Sequence, residues 1–250
     1  MDFSKFINKY ILIGEIENTA PIHIGSNKDN FDPIEVDNSI IRYASDLKPF
    51  IPGSSFKGVL RSYIESIFST GINGFRSCSV TSEYSCSSIN KEKIKNLREK
   101  DSKVYFDSLY NLLCDTCKIF GSENMASKIY IRDLKLKSDK YFITKRDGVA
   151  IDRDTLTASR NKKYDFEVLE PGAIFDLYIT FENLEEKYQP VIKLIINALK
   201  NQEILIGGKT SRGLGTIKLK NVEIYKIDSS NVEKYLINGF TEEMRWAYNV

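Results

Sequence analysis

Four cysteines have the residue type, and in part the spacing, of a metal centre. Cys114 and Cys117 are separated by two residues, and Cys78 and Cys86 precede them in the chain. A CxxC pair is typical of zinc ligands, so the four cysteines predict a structural Zn²⁺ site. An intracellular chain keeps its thiols reduced, which favours a metal over disulfides. Disulfides are the alternative and apply if the source is a hyperthermophile.

A second group places small residues and cations at the start of a predicted helix. Residues 52–61 read PGSSFKGVLR. Either Ser54 or Ser55 can cap the helix, and Lys57 and Arg61 are four apart and share one face. The free N–H groups and the positive dipole end of such a helix attract anions. The segment predicts a phosphate contact, and the alternative is a capped surface helix with two solvated cations.

A third group lies in the glycine-rich loop, residues 204–215, which reads ILIGGKTSRGLG. It is not a nucleotide P-loop, because Glu203 stands where that pattern needs glycine and the loop leads from a helix into a strand. Closely spaced glycines still let backbone N–H groups approach a phosphate. The predicted contact residues are Gly207, Gly208, Lys209, Ser211, Arg212 and Gly213. The alternative is a glycine-rich turn before an edge strand.

Acidic side chains near the start of the chain have the chemistry of a divalent-metal site. Asp37 follows a polar loop that also contains Asp29 and Asp32. One carboxylate can hold hydrated Mg²⁺ beside a phosphate, because Mg²⁺ keeps several of its waters. We choose Asp37 as the candidate catalytic residue, with Mg²⁺ or Mn²⁺ as its cofactor. Asp29 and Asp32 are second choices that we interpret as solvated loop acids.

Two further positions are a lone histidine and a basic stretch. His23 is the single histidine, which excludes the multi-histidine zinc sites of many hydrolases. Its ordinary pKa suits a general base, but we expect it to pack at a strand end or to contact a ligand. Arg153, with Arg160, Lys162 and Lys163 nearby, suits a phosphate backbone. The alternative for these cations is a solubilising charge run.

Length and composition bound the class of protein. The chain has 250 residues, 42% of them hydrophobic, which suffices for one large domain or two small ones. No apolar run reaches the roughly 18 residues of a membrane span, and the N-terminus lacks a signal-peptide core. We therefore expect a cytoplasmic protein with no membrane partner. The net charge of +2 means that any nucleic-acid surface must come from local clustering of cations.

Hydrophobic spacing predicts the elements that must position these residues. Strands are predicted over residues 9–24, 128–136, 174–181 and 216–227, and helices over 54–68 and 185–202. Strand, helix, strand, strand, helix, strand is the order of an α+β, ferredoxin-like (RRM-like) βαββαβ core.

Two insertions flank the strand predicted over 128–136. Residues 69–127 contain the cysteines and many polar residues, so we expect a zinc-bound subdomain that buries little of itself. Residues 138–170 are long and polar and predict a projecting hairpin. The expected organisation is one domain over 1–250, with a zinc subdomain at 69–127 and a thumb-like arm at 138–170.

Together, these motifs resemble the RAMP superfamily of CRISPR proteins. The segments that carry the resemblance are 52–61, 207–215, 21–25 (PIHIG), 117–122 (CKIFGS) with Ala126 and Ser127, and 148–158 (GVAIDRDTLTA). Each motif is short, and their order is specific. The resemblance covers about Ile11 to Lys220. The combination of motifs is similar to the repeated backbone subunit of type III, Csm- or Cmr-like, RNA-targeting effector complexes.

The resemblance implies a filament of copies or paralogues that holds a guide RNA (crRNA), pairs it with single-stranded target RNA and joins other type III effector subunits. It implies guide contacts at the glycine-rich loop and at His23, Ser54, Ser55, Lys57 and Arg61. It also implies that the arm with Arg153 wedges between guide and target. Finally, it implies that Asp37 cleaves target RNA with a divalent metal and the ribose 2′-OH as nucleophile. The family's usual proline after this aspartate is absent, since Ser39 stands in its place.

Three functions are open at this point. The first is an RNA-guided, metal-dependent endoribonuclease subunit that works only within an assembly. The second is a paralogue that binds guide RNA and does not cut. The third is a guide-processing endoribonuclease that cuts precursor RNA without metal. The metal requirement separates the first from the third, and removal of the Asp37 carboxylate separates the first from the second.

Overall fold

A computed structural model describes residues 5–25, 38–97 and 102–247, with the backbone alone at 102–103 and 159–162. The strands are Asn8–Asn18 (β1), Phe50–Ile51 (β2), Ile129–Ile131 (β3), Leu134–Lys135 (β4), Ile143–Ile151 (β5), Ala158–Leu169 (β6), Ile174–Glu182 (β7) and Ile217–Asp228 (β8). The helices are Gly53–Phe68 (α1), Cys86–Ile89 (α2), Lys91–Leu97 (α3), Ser102–Leu112 (α4), Asp115–Phe120 (α5), Gln189–Lys200 (α6) and Val232–Asn238 (α7). The protein is thus mixed α and β, as expected.

The central sheet has the strand order β3-β7-β1-β8, and every neighbouring pair is antiparallel. Alternate residues of β1, such as Leu12 and Ile16, are fully buried on the face that packs with α1 and α6. The helices contribute apolar residues at three- and four-residue spacing, among them Leu60 and Ile64 of α1 and Ile195 of α6. This face forms the main core and fixes the two helices on the sheet.

The first strand is shorter than predicted, because Asn18 ends it. The Asn18 side chain donates to the carbonyl of Glu170 at 2.9 Å and accepts from the Ala173 N–H at 2.8 Å. These side-chain hydrogen bonds take the place of the next backbone hydrogen bonds of the sheet. The chain from Pro21 to Gly25 then leaves the central sheet and bridges the base of β6, where Ile22 pairs with Leu169.

The strand predicted over 128–136 is divided in two, which corrects the prediction. β3 pairs with β7, whereas β4 pairs with β2. The break lies at Asp133, whose carboxylate accepts a 2.8 Å hydrogen bond from the Gly53 N–H at the start of α1. A Cβ at Gly53 would lie 2.5 Å from the Ile131 carbonyl oxygen, so glycine permits the helix start to approach the strand break.

The insertion expected to bury little of itself has a small core of its own, which is a second correction. Ile94, Leu109, Leu113 and Met125 are buried there together with three of the cysteines. Helices α2 to α5 supply some of these residues, and the turns that follow α4 and α5 supply Leu113 and Met125. The cysteines therefore belong to a packed unit rather than to a polar loop.

The second insertion contains an antiparallel hairpin of β5 and β6, the arm hairpin. Asp152 accepts from the N–H groups of Asp154 and Thr155 and closes the turn. Over the described residues, no helix has the length and apolar character needed to cross a membrane.

Candidate functional site

The glycine-rich loop is tied to the chain at His23. The Gly208 N–H donates to the His23 carbonyl oxygen at 2.8 Å. Gly207 has φ +80°, and a Cβ there would lie 2.3 Å from the same oxygen. Glycine is therefore required at position 207 both for its backbone conformation and for the close approach. The loop continues as a 3₁₀ turn over Thr210–Arg212, which leaves Ser211, Arg212 and Gly213 exposed.

The His23 side chain is buried, with 6% of its surface exposed. Its Nδ1 lies 2.7 Å from the carbonyl oxygen of Glu167, and its ring meets Phe166 edge-on at 5.6 Å. A nitrogen bonded to a carbonyl oxygen must carry the proton. Burial lowers the pKa of His23, so the ring is neutral near pH 7. His23 thus joins the first strand's end to the arm hairpin, and its contact with RNA stays a prediction.

Two cations of the glycine-rich loop rest on aromatic residues of the arm hairpin. Lys209 Nζ lies 4.3 Å from the ring centroid of Phe166, and Arg212 Nη1 donates to the Tyr164 hydroxyl at 2.5 Å. Phe166 and Tyr164 are two apart on β6 and therefore face the same side. The ring contact of Lys209 and the hydroxyl bond of Arg212 hold two positive charges beside the hairpin stem, and Arg212 stays exposed.

After the polar loop, the chain pairs with strand β6 of the arm hairpin. Asn38 forms a parallel bridge with Phe166, and its carbonyl oxygen accepts from the Glu167 N–H at 3.0 Å. The Glu167 carboxylate accepts from the Ile40 N–H at 3.0 Å and from Arg42 Nη2 at 2.7 Å. Glu167 thereby clamps the segment that directly follows Asp37. The candidate acids themselves lie outside the described residues: Asp29, Asp32 and Asp37.

The start of α1 differs from the prediction. The expected serine cap is wrong, because the helix begins one residue earlier at Gly53 and Pro52 is its N-cap, with no side-chain cap bond. Ser54 and Ser55 are exposed in the first turn, where helix geometry gives their N–H groups no intrahelical acceptor. Lys57 is half-buried on the next turn. Burial, and then the charge of Arg61, lower the pKa of Lys57.

Arg61, one helical turn after Lys57, has its guanidinium bonded to other protein groups. Its Nε donates to Glu65 Oε1 at 2.7 Å, its Nη1 to the carbonyl oxygen of Gly121 at 3.0 Å, and its Nη2 approaches Cys117 Sγ at 3.6 Å. The guanidinium therefore points toward α5, which belongs to the insertion at 69–127. Whether it also contacts RNA stays a prediction.

Arg153 lies at the tip of the arm hairpin and is exposed. Ala158, beside the turn, is six positions along β6 from Tyr164 in the stem, so the tip extends about 20 Å past the stem. Lys163 pairs with Asp147 across the hairpin at 3.2 Å. The side chains of Arg160 and Lys162 lie outside the described residues. The arm thus presents Arg153 away from the loop cations.

The four cysteines converge, although their pairs are far apart in sequence. Their sulfur atoms all lie within 4.8 Å of one another, with Cys78 Sγ 3.5 Å from Cys117 Sγ and 3.6 Å from Cys114 Sγ. In a tetrahedron with Zn–S bonds of about 2.3 Å, neighbouring sulfurs lie about 3.8 Å apart. All four are free thiols. The cluster has the donor set and spacing to hold a metal such as zinc.

Backbone bonds around the cysteine cluster also suit thiolate ligands. The Cys114 N–H donates to Cys86 Sγ at 3.2 Å, and the Cys117 N–H to Cys114 Sγ at 3.5 Å. Arg76 and Asp115 exchange two bonds, Arg76 N to Asp115 Oδ2 at 2.9 Å and Asp115 N to the Arg76 carbonyl at 3.0 Å. This exchange brings the Cys78 segment against the CxxC turn. N–H groups aimed at sulfur stabilise the thiolate form.

Sequence reasoning missed the residues that assemble these sites. Glu167, Tyr164 and Phe166 are spaced along β6 in a segment that reads as a polar arm, and Asp133 lies inside a predicted strand. The partner of Asp133, Gly53, is 80 residues away in the sequence, and the partner of Glu167, Arg42, is 125 residues away. The alternation of Tyr164 and Phe166 was the one available signal of a packed face.

Comparison with known proteins agrees with the motifs. The family model of the RAMP superfamily matches residues 15–218. The CRISPR system Cms endoribonuclease Csm3 of Methanocaldococcus jannaschii is 28% identical over 86% of this chain and 80% of its own. The proteins of the same name from Methanothermobacter thermautotrophicus and Enterococcus italicus are each 26% identical, over 88% and 90% of this chain and 87% and 98% of their own. The chain belongs to the RAMP superfamily.

Proposed function

We propose that this chain is the repeated backbone subunit of a type III CRISPR effector complex, and that it binds guide RNA and cleaves the target RNA paired with it. The observation that carries the proposal is the convergence at His23. The glycine-rich loop and the stem of the arm hairpin both bond to His23, and the segment that follows Asp37 bonds to the same stem. The Csm3 relatives carry the name endoribonuclease, and this name supports RNA as the substrate.

The RNA contacts are proposed on charge and exposure. Lys209 lies over the Phe166 ring and Arg212 bonds to the Tyr164 hydroxyl, beside the exposed backbone of Gly207, Gly208 and Gly213. This arrangement suits a phosphate chain. Cations that contact phosphates bind RNA with little dependence on base sequence. We add Ser54, Ser55 and Lys57 as a second contact at the start of α1, and Arg153 at the arm tip as the residue nearest the guide–target duplex.

Asp37 is the proposed catalytic residue. Asp37 directly precedes Asn38, whose carbonyl oxygen accepts from the Glu167 N–H of β6. A carboxylate is a ligand that Mg²⁺ or Mn²⁺ prefers, and when bound such an ion supplies charge stabilisation at the scissile phosphate. Lys209 and Arg212 would hold the neighbouring phosphates, and the 2′-OH of the RNA itself would attack. His23 is neutral and bonded to Glu167, so we assign it a positioning role.

The fold supports the ferredoxin-like interpretation. A split β-α-β unit repeated once gives four antiparallel strands in the order fourth, first, third, second. Taking β1, β3, β7 and β8 as those four reproduces the order of the central sheet. We accordingly propose one domain over 1–250, with a zinc subdomain at 69–127 and a thumb at 138–170. The zinc, held by the cysteine cluster, would be structural because all four ligands are protein thiols.

We propose that copies or paralogues of this chain form a filament along the guide RNA with other type III subunits, in the cytoplasm. The test is cleavage by the assembled complex. Target RNA paired to the guide should be cut at regular intervals, once per subunit, with Mg²⁺ or Mn²⁺ and not with EDTA. A target with 2′-deoxy sugars at the cut sites should resist, because its nucleophile is gone. A complex that binds target and never cuts it would instead be the non-catalytic paralogue, and metal-independent cutting of free precursor RNA would identify a guide-processing enzyme.

A further inference from the structure

The guanidinium of Arg61 is held on three sides by protein groups. Glu65, one turn later on α1, accepts from Nε at 2.7 Å, and the Gly121 carbonyl accepts from Nη1 at 3.0 Å. The third contact is Cys117 Sγ, 3.6 Å from Nη2. Only 15% of the Arg61 side chain is exposed. The planar fork of arginine suits three acceptors in different directions, which a lysine cannot reach together.

Two of these acceptors belong to the part of the chain that carries the cysteine cluster. Cys117 is a cluster ligand inside α5, and Gly121 follows the last residue of that helix. Gly121 also donates its N–H to the Cys117 carbonyl at 3.0 Å. The Gly121 carbonyl, to which Arg61 donates, is an acceptor without an intrahelical partner at the end of α5. A cation there also complements the negative end of the helix dipole. Arg61 therefore fixes the helix that positions Cys117 and, at its N-cap, Cys114.

Charge gives Arg61 a second effect. Zn²⁺ with four thiolates carries a net charge of −2, and three of the four cysteines are buried. Burying such a charge is costly unless opposite charge and hydrogen bonds lie close by. A permanently protonated guanidinium whose N–H points at a ligand sulfur meets both needs. Groups that bond to metal ligands in this way affect metal affinity by about 10- to 100-fold.

We propose that Arg61 is a positioning residue of the cysteine metal centre, and that it ties this centre to α1, the helix whose first turns carry Ser54, Ser55 and Lys57. The inference rests on the proposed zinc and is independent of the proposed RNA cleavage. It assigns Arg61 to the metal centre, and it makes the metal centre part of what holds the start of α1 in place.

The test is the zinc affinity of the full chain, measured by competition with a chromophoric chelator. Arg61→Gln should bind zinc 10- to 100-fold more weakly than the parent. Arg61→Lys should lie between them, because it keeps the charge and loses the fork. Ser62→Ala is the matched control, since Ser62 is the exposed next residue on the same helix, and its zinc affinity should equal that of the parent. An Arg61→Gln protein with parental zinc affinity would overturn the inference, whereas a parent without zinc would instead refute the proposed zinc site.

A spectroscopic measurement separates positioning from general stability. In the Co²⁺-substituted protein, loss of the N–H contact to Cys117 should move the sulfur-to-cobalt charge-transfer band to lower energy, because the thiolate becomes a stronger donor. A purely structural role would leave that band unchanged. Should Arg61→Gln fail to fold, Glu65→Ala removes only the acceptor of Nε, and it should weaken zinc binding in the same direction by a smaller factor. Parental affinity in both foldable variants, Arg61→Lys and Glu65→Ala, would equally contradict the assignment.

Discussion

The contact between the glycine-rich loop and His23 makes a quantitative prediction about Gly207. Gly207 and Gly213 have nearly the same positive φ, +80° and +83°. Their surroundings differ, because a Cβ at Gly207 would lie 2.3 Å from the His23 carbonyl oxygen, whereas a Cβ at Gly213 would meet nothing within 4 Å. The variants Gly207→Ala and Gly213→Ala therefore share the penalty of a positive φ, and Gly207→Ala adds the contact with the His23 carbonyl.

The magnitudes follow from these two terms. A non-glycine residue in the left-handed region costs about 1–2 kcal/mol, and the reduced freedom of the unfolded chain returns about 0.4–1 kcal/mol. Gly213→Ala should thus lower the free energy of unfolding by roughly 1 kcal/mol. Gly207→Ala must also move the loop away from a backbone atom and lose the bond from Gly208, which adds about 1–2 kcal/mol. We expect a total of about 2–3 kcal/mol for Gly207→Ala.

Urea unfolding of the two variants and the parent, all zinc-loaded, measures both terms. The difference between the variants is the informative quantity, because the unfolded-state effect of glycine to alanine is common to both. Equal midpoints with equal slopes would refute the reasoning, since they would mean that the loop does not press against His23. A larger loss in Gly213→Ala would refute it as well.

Other predictions concern charge, metal and pH. Replacing Lys57, Lys209 and Arg212 together by glutamine should weaken binding of single-stranded RNA and reduce the slope of log affinity against log salt by about 2, while Lys234→Gln should leave it unchanged; an unaltered slope contradicts the proposed contacts. Elemental analysis after dialysis should find one zinc per chain, with chelation lowering the melting temperature; two disulfides, or protected thiols without metal, would refute the site. Because burial lowers the pKa of His23, the unfolded chain takes up its proton first as pH falls, so stability should drop from about pH 6.5 downward. His23→Asn should lose less stability than the parent between pH 7.5 and 5.5, and identical pH profiles would count against a buried neutral ring.

Local patterns predicted the elements better than their partners. The apolar spacing of α1 and α6 and the alternation of β7 and β8 lie within each segment, so those elements are close to the predictions. The split between β3 and β4 lies at Asp133, whose carboxylate accepts a hydrogen bond from the Gly53 N–H, 80 residues away. Nothing local to the strand encodes that bond, and so the sequence pattern read as one continuous strand.

The candidate sites show the same limit. The CxxC turn is visible in the sequence, and the four sulfurs do meet, although Cys78 and Cys86 are loosely spaced. Two of the three contacts of Arg61 could not be predicted, because Cys117 and Gly121 are 56 and 60 residues away. Helical spacing correctly places Arg61 one turn from Lys57. Long-range packing, however, determines that its guanidinium bonds to Gly121 and approaches Cys117.

The most direct test of the central claim is cleavage by the assembled complex that carries Asp37→Ala. This complex should bind guide-paired target RNA as the parent does, because one carboxylate adds nothing to phosphate affinity without the metal, and it should not cut in Mg²⁺. Asp29→Ala and Asp32→Ala, in the same loop, are the matched controls and should cut at close to the parental rate. If the Asp37→Ala complex cuts target RNA as fast as the parent, Asp37 is not the catalytic residue and the account of the site is wrong.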